Sequence, residues 1–332
     1  MQPEYREGSS SNYDGRRFYN STPSKKSVLE MAKFMTTFWL RKEQWPDYVK
    51  NGQYPSRPVN VDGIVVTYIN HSTVLISVSG VNILTDPIWS ERASPFTAFG
   101  PKRIREPGLS IEELPHIDVI LISHNHYDHL DLTTLKKLRD KGRKGEQPLI
   151  LVGLGVGKLL KKNEFQSFRE LDWNDSADVR GLEITFVEVR HRSGRGLTDQ
   201  MRTLWGGFVI ESEVGPIYFA GDTGYGPHFV ETHEKFGNFQ LSLIPIGAYR
   251  PRSFMAPVHI DPAQAVQAHR DLKSQKSIAI HHGSFQLTYE PIGEPYAELS
   301  SALEKQNVEK NEFRVLGFGE SITIDRVSQS AK

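Results

Sequence analysis

The chain has 332 residues, 40 of them basic and 40 acidic, and it contains no cysteine. A formal charge of zero gives the whole molecule no field to draw nucleic acid, and the missing cysteines exclude disulfides, thiolate metal ligands and a cysteine nucleophile. Histidine, aspartate and glutamate remain as metal ligands, and the length suits one large domain or two ordinary ones.

Residues 1–26 are rich in Ser, Asn, Gly and charge and read as disordered or draped on the surface. The chain's start shows neither the basic region nor the apolar stretch of a secretory signal, and no later run is long and apolar enough to span a bilayer. The expectation is a soluble, cytoplasmic protein. "SVLEMAKFMTTFWLRK", residues 27–42, has helical periodicity, with Val28, Met31, Met35, Phe38 and Trp39 on a broad apolar face and Lys25, Lys26, Arg41 and Lys42 at its ends. Such a helix either packs on the domain's own core or lies peripherally in a membrane interface.

From Gly63 the pattern turns to strands: "GIVVTYI", "TVLISV" and "VNILTDP", parted by short polar turns. "HIDVILIS" is an almost unbroken β-branched run, the mark of a strand buried on both faces. A helix follows near "TTLKKLRDKG", ended by Gly142, then a strand "PLILVG" and a helix from Val156 to Lys162. Strands "LEITFVEV", "TLWGGFVIE" and "PIYFAGD" and an apolar "LSLIPIG" come next. "DPAQAVQAHRDL" opens a helix with Asp261 as N-cap and Pro262 at its first position, and "SIAIHH" and "FRVLGFGESITI" read as late strands. Mixed runs of strands with interspersed helices favour two packed sheets covered by helices.

Directly behind the buried strand stands "SHNHYDHLD", three histidines and two aspartates within nine residues. In extended backbone, residues two apart face one side, so His124 and His126 can grip one ion together. Asp128 and His129 follow as the chain turns and can point to a second ion nearby. Neutral imidazole and carboxylate suit zinc or another divalent transition metal. The same arrangement recurs: His191 follows "LEITFVEVR", Asp222 ends "PIYFAGD" and His281 ends "SIAI". His71, in the turn "INHSTV", is placed to hydrogen-bond a metal ligand from behind. "VGLGVGK" lacks both the spacing of a dinucleotide loop and the Lys-Ser/Thr pair of a phosphate loop, and reads as a strand-to-helix turn. The basic run Lys136, Lys137, Arg139, Lys141, Arg143 and Lys144 reads as a solvated helix face that could also meet anionic headgroups. His116, His228, His233 and His269 read as ordinary polar residues.

The order "HNHYDH", a later His, an Asp in "AGDTGY" and a final His resembles the metallo-β-lactamase superfamily. The longer stretches "LTDPIWSERASPFTAFGPKR", "ELPHIDVILISHNHYDHLD", "FAGDTGYGPHF", "IPIGAYRPRSFM", "HIDPAQAVQAH" and "SIAIHHGSF" resemble, more narrowly, the N-acylphosphatidylethanolamine-hydrolysing phospholipase D-like family, from about Arg16 to Gly293. The resemblance implies a four-layer αβ/βα metallo-β-lactamase sandwich, with residues 27–332 as its single domain, and two Zn2+ per chain. It assigns His124, His126 and His191 to the first zinc, Asp128, His129 and His281 to the second, and Asp222 to both. It gives Tyr127 a contact to the substrate phosphate and places His259 at the substrate pocket, with Arg250 and Arg252 at the site's mouth. The sequence departs from the family at Val258, where a glutamine is expected, and at His282, where a tryptophan is expected.

Two divalent ions about 3.5–4 Å apart can hold a shared hydroxide at neutral pH and neutralise charge growing on a phosphoryl oxygen. The activity so implied is a phospholipase D-type cleavage of N-acylphosphatidylethanolamine to N-acylethanolamine and phosphatidate, with a phospholipid as partner and no nucleic acid. A lactonase or a phosphodiesterase for a soluble substrate on the same scaffold is the alternative, and a membrane-surface protein with structural metals is a third. Whether the chain forms a homodimer stays open.

Overall fold

The computed structural model describes residues 10–22, 36–37, 40, 44–59, 61–142 and 147–326. Its strands form two seven-stranded sheets. One contains β1 (Gly63–Asn70), β2 (Thr73–Val78), β3 (Val81–Thr85), β4 (Val119–Ile122), β5 (Leu149–Gly153), β6 (Phe168–Leu171) and β14 (Ser321–Asp325), in the order β14-β1-β2-β3-β4-β5-β6. The other contains β7 (Ser176–Val179), β8 (Leu182–Val187), β9 (Gly207–Glu211), β10 (Ile217–Phe219), β11 (Leu241–Pro245), β12 (Lys276–Ile280) and β13 (Phe313–Arg314), in the order β13-β12-β11-β10-β9-β8-β7. Within each, four neighbours run parallel, β3 to β6 and β10 to β13, and the remaining pairs are antiparallel.

The pleat explains why the central strands read as continuous apolar runs. In β4, Val119 and Leu121 face the other sheet and join Phe186, Phe208 and Leu243 in one apolar cluster, while Ile120 and Ile122 face outward. There they pack with Leu135 and Leu138 of α1 (Leu132–Lys141) and Leu160 of α2 (Gly157–Lys162). In β12, Ile278 and Ile280 point inward. Ala279 points out to Val266 of α5 (Pro262–Asp271) and to Leu299 and Leu303 of α6 (Glu294–Lys305). On the same outer face Phe229 comes from α3 (His228–Phe236). Three apolar clusters, one between the sheets and one under each helical layer, make the four layers.

The helix ends follow their sequence signals. The Asp131 side chain caps α1 by accepting from Thr133 N, and Asp261 and Gln264 form a reciprocal capping box at α5. Some stretches differ from the reading. The segment 203–211 becomes strand only at Gly207, and "FRVLGFGESITI" divides into β13 and β14, which join different sheets. α3, α6 and the one-turn α4 (Arg252–Met255) lie in segments where no helix was read, and β6 and β7 where no strand was read.

The amphipathic segment 27–42 lies outside the described residues except for Thr36, Thr37 and Leu40, and Arg143 and Lys144 of the basic run lie outside them as well. Within residues 1–26, the described part is mostly exposed and is anchored at points. Phe18 is buried in the cluster between the sheets, its N donating to Met201 O at 2.8 Å, and Asn20 Nδ2 donates to Val189 O at 2.7 Å. One aromatic side chain in the core is enough to pin a polar segment that composition alone would leave loose. None of the described helices is long and apolar enough to cross a membrane.

Candidate metal centre

The site gathers at the ends of strands from both sheets. His71 follows β1, Asp86 follows β3, Ser123 and His124 follow β4, Asp222 lies just beyond β10, and His281 follows β12. Parallel strands deliver their carboxyl ends to one edge of a sheet, and two facing sheets bring two such edges together. His71, Asp86 and His281 hold positive φ of 46°, 31° and 59°, a left-handed backbone that turns each side chain sharply off its strand. Gly221, at φ +57°, lets Asp222 approach: a Cβ there would lie 2.5 Å from Ser123 Cβ.

Two groups of ligand atoms converge. In the first, His126 Nδ1 stands 2.7 Å from His124 Nε2 and 3.4 Å from His191 Nε2. The opposite ring nitrogens are already used. His191 Nδ1 donates to Val258 O at 2.9 Å, and His124 Nδ1 lies 2.9 Å from Ser123 Oγ, which itself donates to Asp86 Oδ2 at 2.6 Å. With Nδ1 as donor, Nε2 of both rings carries the lone pair, so His124 and His191 aim lone pairs at the space that His126 Nδ1 also faces.

The second group is His71, Asp128, His129 and His281. His129 Nδ1 donates to Asp86 Oδ2 at 2.6 Å, which leaves its Nε2 facing Asp222 Oδ2 at 3.2 Å and Asp128 Oδ2 at 3.3 Å. His281 Nε2 is 3.2 Å from Asp222 Oδ2 and 3.5 Å from Asp128 Oδ2. Asp222 Oδ2 also lies 3.8 Å from His191 Nε2, so this carboxylate stands between the two groups.

Electrostatics separate the groups. Burial holds His124 and His191 well below the ordinary imidazole range, with neighbouring rings adding to it, and burial lowers His126 to about 4. In the second group burial works the same way but is outweighed. The Asp222 carboxylate, with Asp128 beside it, carries His281 up to about 9, and Asp222, Asp128 and Asp86 hold His129 well above its usual value. Burial would raise Asp128 and Asp222, yet the surrounding imidazoles hold both carboxylates well below their usual range.

Nε2 of His129, Nε2 of His281 and Oδ1 of Asp222 are buried without a hydrogen-bond partner. Stranded polar atoms of this kind cost free energy unless something meets them. Lone pairs and carboxylate oxygens converging in a buried space fit divalent cations, so the donor set suits the expected metals.

Tyr127 lies within the same loop, with the Arg195 guanidinium 3.8 Å over its ring. Arg195 Nη1 donates to Asn125 O and Leu130 O, at 3.0 and 2.8 Å, and so clasps the loop that carries His126 to His129. The His259 ring stands 5.2 Å from His191 and 5.5 Å from His281, with Nδ1 4.0 Å from Asp222 Oδ2. Arg252 donates to His259 O at 2.8 Å and to Gln264 Oε1 at 2.7 Å, and its charge meets Asp261, so it braces His259 from behind. Arg250 is turned to Glu294 and Glu298. His71 Nε2 sits 3.1 Å from Asp128 Oδ2.

Of the two departures, Val258 contributes its backbone carbonyl to His191, a contact that does not depend on the side chain. His282 stacks on Tyr68 at 4.9 Å and meets Tyr296 Oη at 3.1 Å, a packing role behind the site. The sequence reading did not single out Asp86, Ser123 or Arg195. The "TDP" turn that ends β3 carries Asp86, whose carboxylate accepts from both Ser123 and His129.

The four-layer fold, with clusters of buried imidazoles and carboxylates able to hold metal, is that of a metal-dependent hydrolase. Residues 81–282 match the Beta-lactamase superfamily domain, and the chain belongs to the metallo-β-lactamase superfamily and, within it, to the N-acylphosphatidylethanolamine-hydrolysing phospholipase D-like family. It is 37% identical over 271 residues to N-acyl-phosphatidylethanolamine-hydrolyzing phospholipase D 1 of Caenorhabditis elegans, covering 78% of this chain and 75% of that one. It is 35% identical over 309 residues to an uncharacterized protein of Mycobacterium tuberculosis, covering 90% of this chain and 81% of that one. Among solved structures, a metallo hydrolase from the archaeon Ignicoccus hospitalis superposes with a TM-score of 0.58 at 21% identity, over 79% of this chain and 98% of that one, a likeness of fold.

Proposed function

We propose that the protein is a phospholipase D-type phosphodiesterase that cleaves N-acylphosphatidylethanolamine into N-acylethanolamine and phosphatidate. The observation that carries this reading is the 37% identity to a Caenorhabditis elegans enzyme named for that reaction, over three quarters of its length. In this reading His124, His126 and His191 hold one zinc ion, Asp128, His129 and His281 hold the other, and Asp222 serves both. Bound there, the ions would lower the pKa of water and offset the negative charge that grows on the phosphoryl oxygens.

The chain's own groups do the rest. Asp222 orients the attacking water through its second oxygen, Oδ1, which no hydrogen bond occupies. Tyr127 donates its phenol proton to a non-bridging phosphate oxygen, and Arg195, stacked on the ring, fixes the direction of that donation. His259 holds the proton for the departing N-acylethanolamine oxygen as the phosphorus–oxygen bond breaks, positioned by Arg252 through its carbonyl. Asp86 and Ser123 keep His129 and His124 in the tautomers that ligation needs.

The test is mass-spectrometric detection of products when zinc-loaded protein meets vesicles containing N-acylphosphatidylethanolamine, with Asp222→Asn protein alongside. Equimolar phosphatidate and N-acylethanolamine, absent with the variant, is the expected result. If neither product forms although the protein carries its metals, the lipid assignment fails, and a lactone or a soluble phosphodiester becomes the substrate to seek.

A further inference from the structure

The segment from Glu91 to Arg103 holds two phenylalanines out into solvent, Phe96 at 65% exposure and Phe99 at 74%. The loop that presents them is firmly built. Its base is closed by Ala93 N donating to Pro101 O at 3.0 Å and Arg103 N donating to Glu91 O at 2.7 Å. The Arg92 guanidinium donates across the loop to Thr97 O at 3.0 Å and to Gly100 O at 2.8 Å. Gly100, at φ +103°, has no room for a side chain, since a Cβ would lie 2.5 Å from Ser94 Cβ.

From Pro95 to Gly100 no residue is charged; beside the tip stand half-buried Arg92 and exposed Lys102, which lies 3.4 Å from Glu91, while Arg103 is buried at the base. The base of the loop is fastened to the site. Arg103 bridges to Phe285 and Ile104 N donates to Ser284 O at 3.0 Å. The Phe285 ring lies 5.4 Å from that of His71, which meets Asp128. A second built turn behaves alike. Asp199 accepts from the backbone N of Arg195 and Gly196, and the turn so closed leaves Leu197 98% exposed. Arg195 ties that turn to the loop carrying the metal-binding side chains.

We propose that Phe96 and Phe99, assisted by Leu197, are anchors that seat the mouth of the site on a phospholipid bilayer surface. Aromatic side chains on an uncharged tip, with Arg92 and the exposed Lys102 beside it, match the bilayer interface, where rings lie at headgroup level and basic side chains meet anionic lipid. A second copy of the chain fits less well. Two phenylalanines offer roughly 150–250 Å² each, short of the ~800 Å² per partner of a stable protein interface. The surface lies wholly within the described residues. Its use in catalysis rests on the reading of the substrate as a bilayer lipid, but its binding to lipid does not.

The experiment compares full-length metal-loaded protein with Phe96→Ser/Phe99→Ser and Leu197→Ser variants. It measures co-sedimentation with vesicles of phosphatidylcholine mixed with phosphatidylglycerol, turnover of soluble bis(p-nitrophenyl) phosphate, hydrolysis of vesicle-borne N-acylphosphatidylethanolamine, and sedimentation coefficient. The double variant is expected to lose at least about tenfold in vesicle partitioning, as the loss of buried phenylalanine surface implies, and Leu197→Ser less. Its KM for the vesicle-borne substrate should rise in parallel, with soluble turnover and melting temperature unchanged. Lost vesicle binding in the variant, together with a wild-type protein that binds vesicles yet leaves N-acylphosphatidylethanolamine intact, supports the surface and removes the substrate reading. Wild-type vesicle binding by the double variant overturns the proposal. So does a fall in sedimentation coefficient with vesicle binding kept, which would mark the face as a contact between copies.

Discussion

His228 and His269 are buried as deeply as His191 and His259, yet the two pairs sit in different surroundings. His228 Nε2 meets Thr223 Oγ1 at 3.1 Å, and His269 Nδ1 meets Ser277 Oγ at 2.8 Å, with Glu312 at 3.9 Å from its other nitrogen. Burial lowers His228 to about 3 and His269 to about 4. In the cluster, burial acts just as strongly, but Asp128 and Asp222 arrive from other elements and lift His129 and His281. Burial alone makes an imidazole a neutral packing group. Convergence of lone pairs and carboxylates from several strands is what makes a site.

The sharpest way to break that distinction is to remove the carboxylate common to both groups. Asp222→Asn should lower turnover on the order of 10³-fold, the scale seen when a transition-state contact is lost, and should reduce bound metal. Normal metal content with normal turnover in this variant would sink the assignment. Asp86→Asn comes next. An amide cannot accept from His129 Nδ1, Ser123 N and Ser123 Oγ as the carboxylate does, so activity or metal affinity should fall roughly 10–100-fold, measured by metal titration. His71→Gln removes one contact to Asp128 and should cost about tenfold or less, read in the same titration. Equal losses from Asp86→Asn and His71→Gln would mean that orientation of His129 is not what Asp86 supplies.

Much of this was legible in the chain. The run 124–129 stood out as candidate ligands because so many titratable side chains directly after a buried strand have few structural uses, and His191, Asp222 and His281 repeated the pattern. The central strands were legible because two buried faces demand unbroken apolar runs. Asp86 was not, since a single aspartate in a turn looks like turn chemistry until tertiary structure brings Ser123 and His129 to it. Arg195 was hidden for a like reason: its partners are backbone carbonyls at 125 and 130, which leave no mark in sequence. The helices α3 and α6 went unread because glycine and proline punctuate their approaches, and Phe18 because one apolar residue in a polar segment carries no period.

The other side of the comparison gives the smallest effect. His228 and His269 take up protons on unfolding whenever the pH lies below their ordinary value of about 6.5 and above their folded values of about 3 and 4. Stability from their neutral burial is therefore complete above about pH 6.5 and declines as the pH falls. The decline is up to about 1.4 kcal/mol per pH unit for each, or about 2 kcal/mol each at pH 5. A His228→Gln/His269→Gln variant should start somewhat less stable at pH 7.5, because two buried hydrogen bonds change, but should lose less on acidification. Urea midpoints of metal-free protein between pH 7.5 and pH 5 measure this, and turnover of the metal-loaded variant at neutral pH should match the parent. A slope equal to the parent's would show that these rings already carry protons in the folded chain, and the division between packed and site histidines would then have to rest on geometry alone.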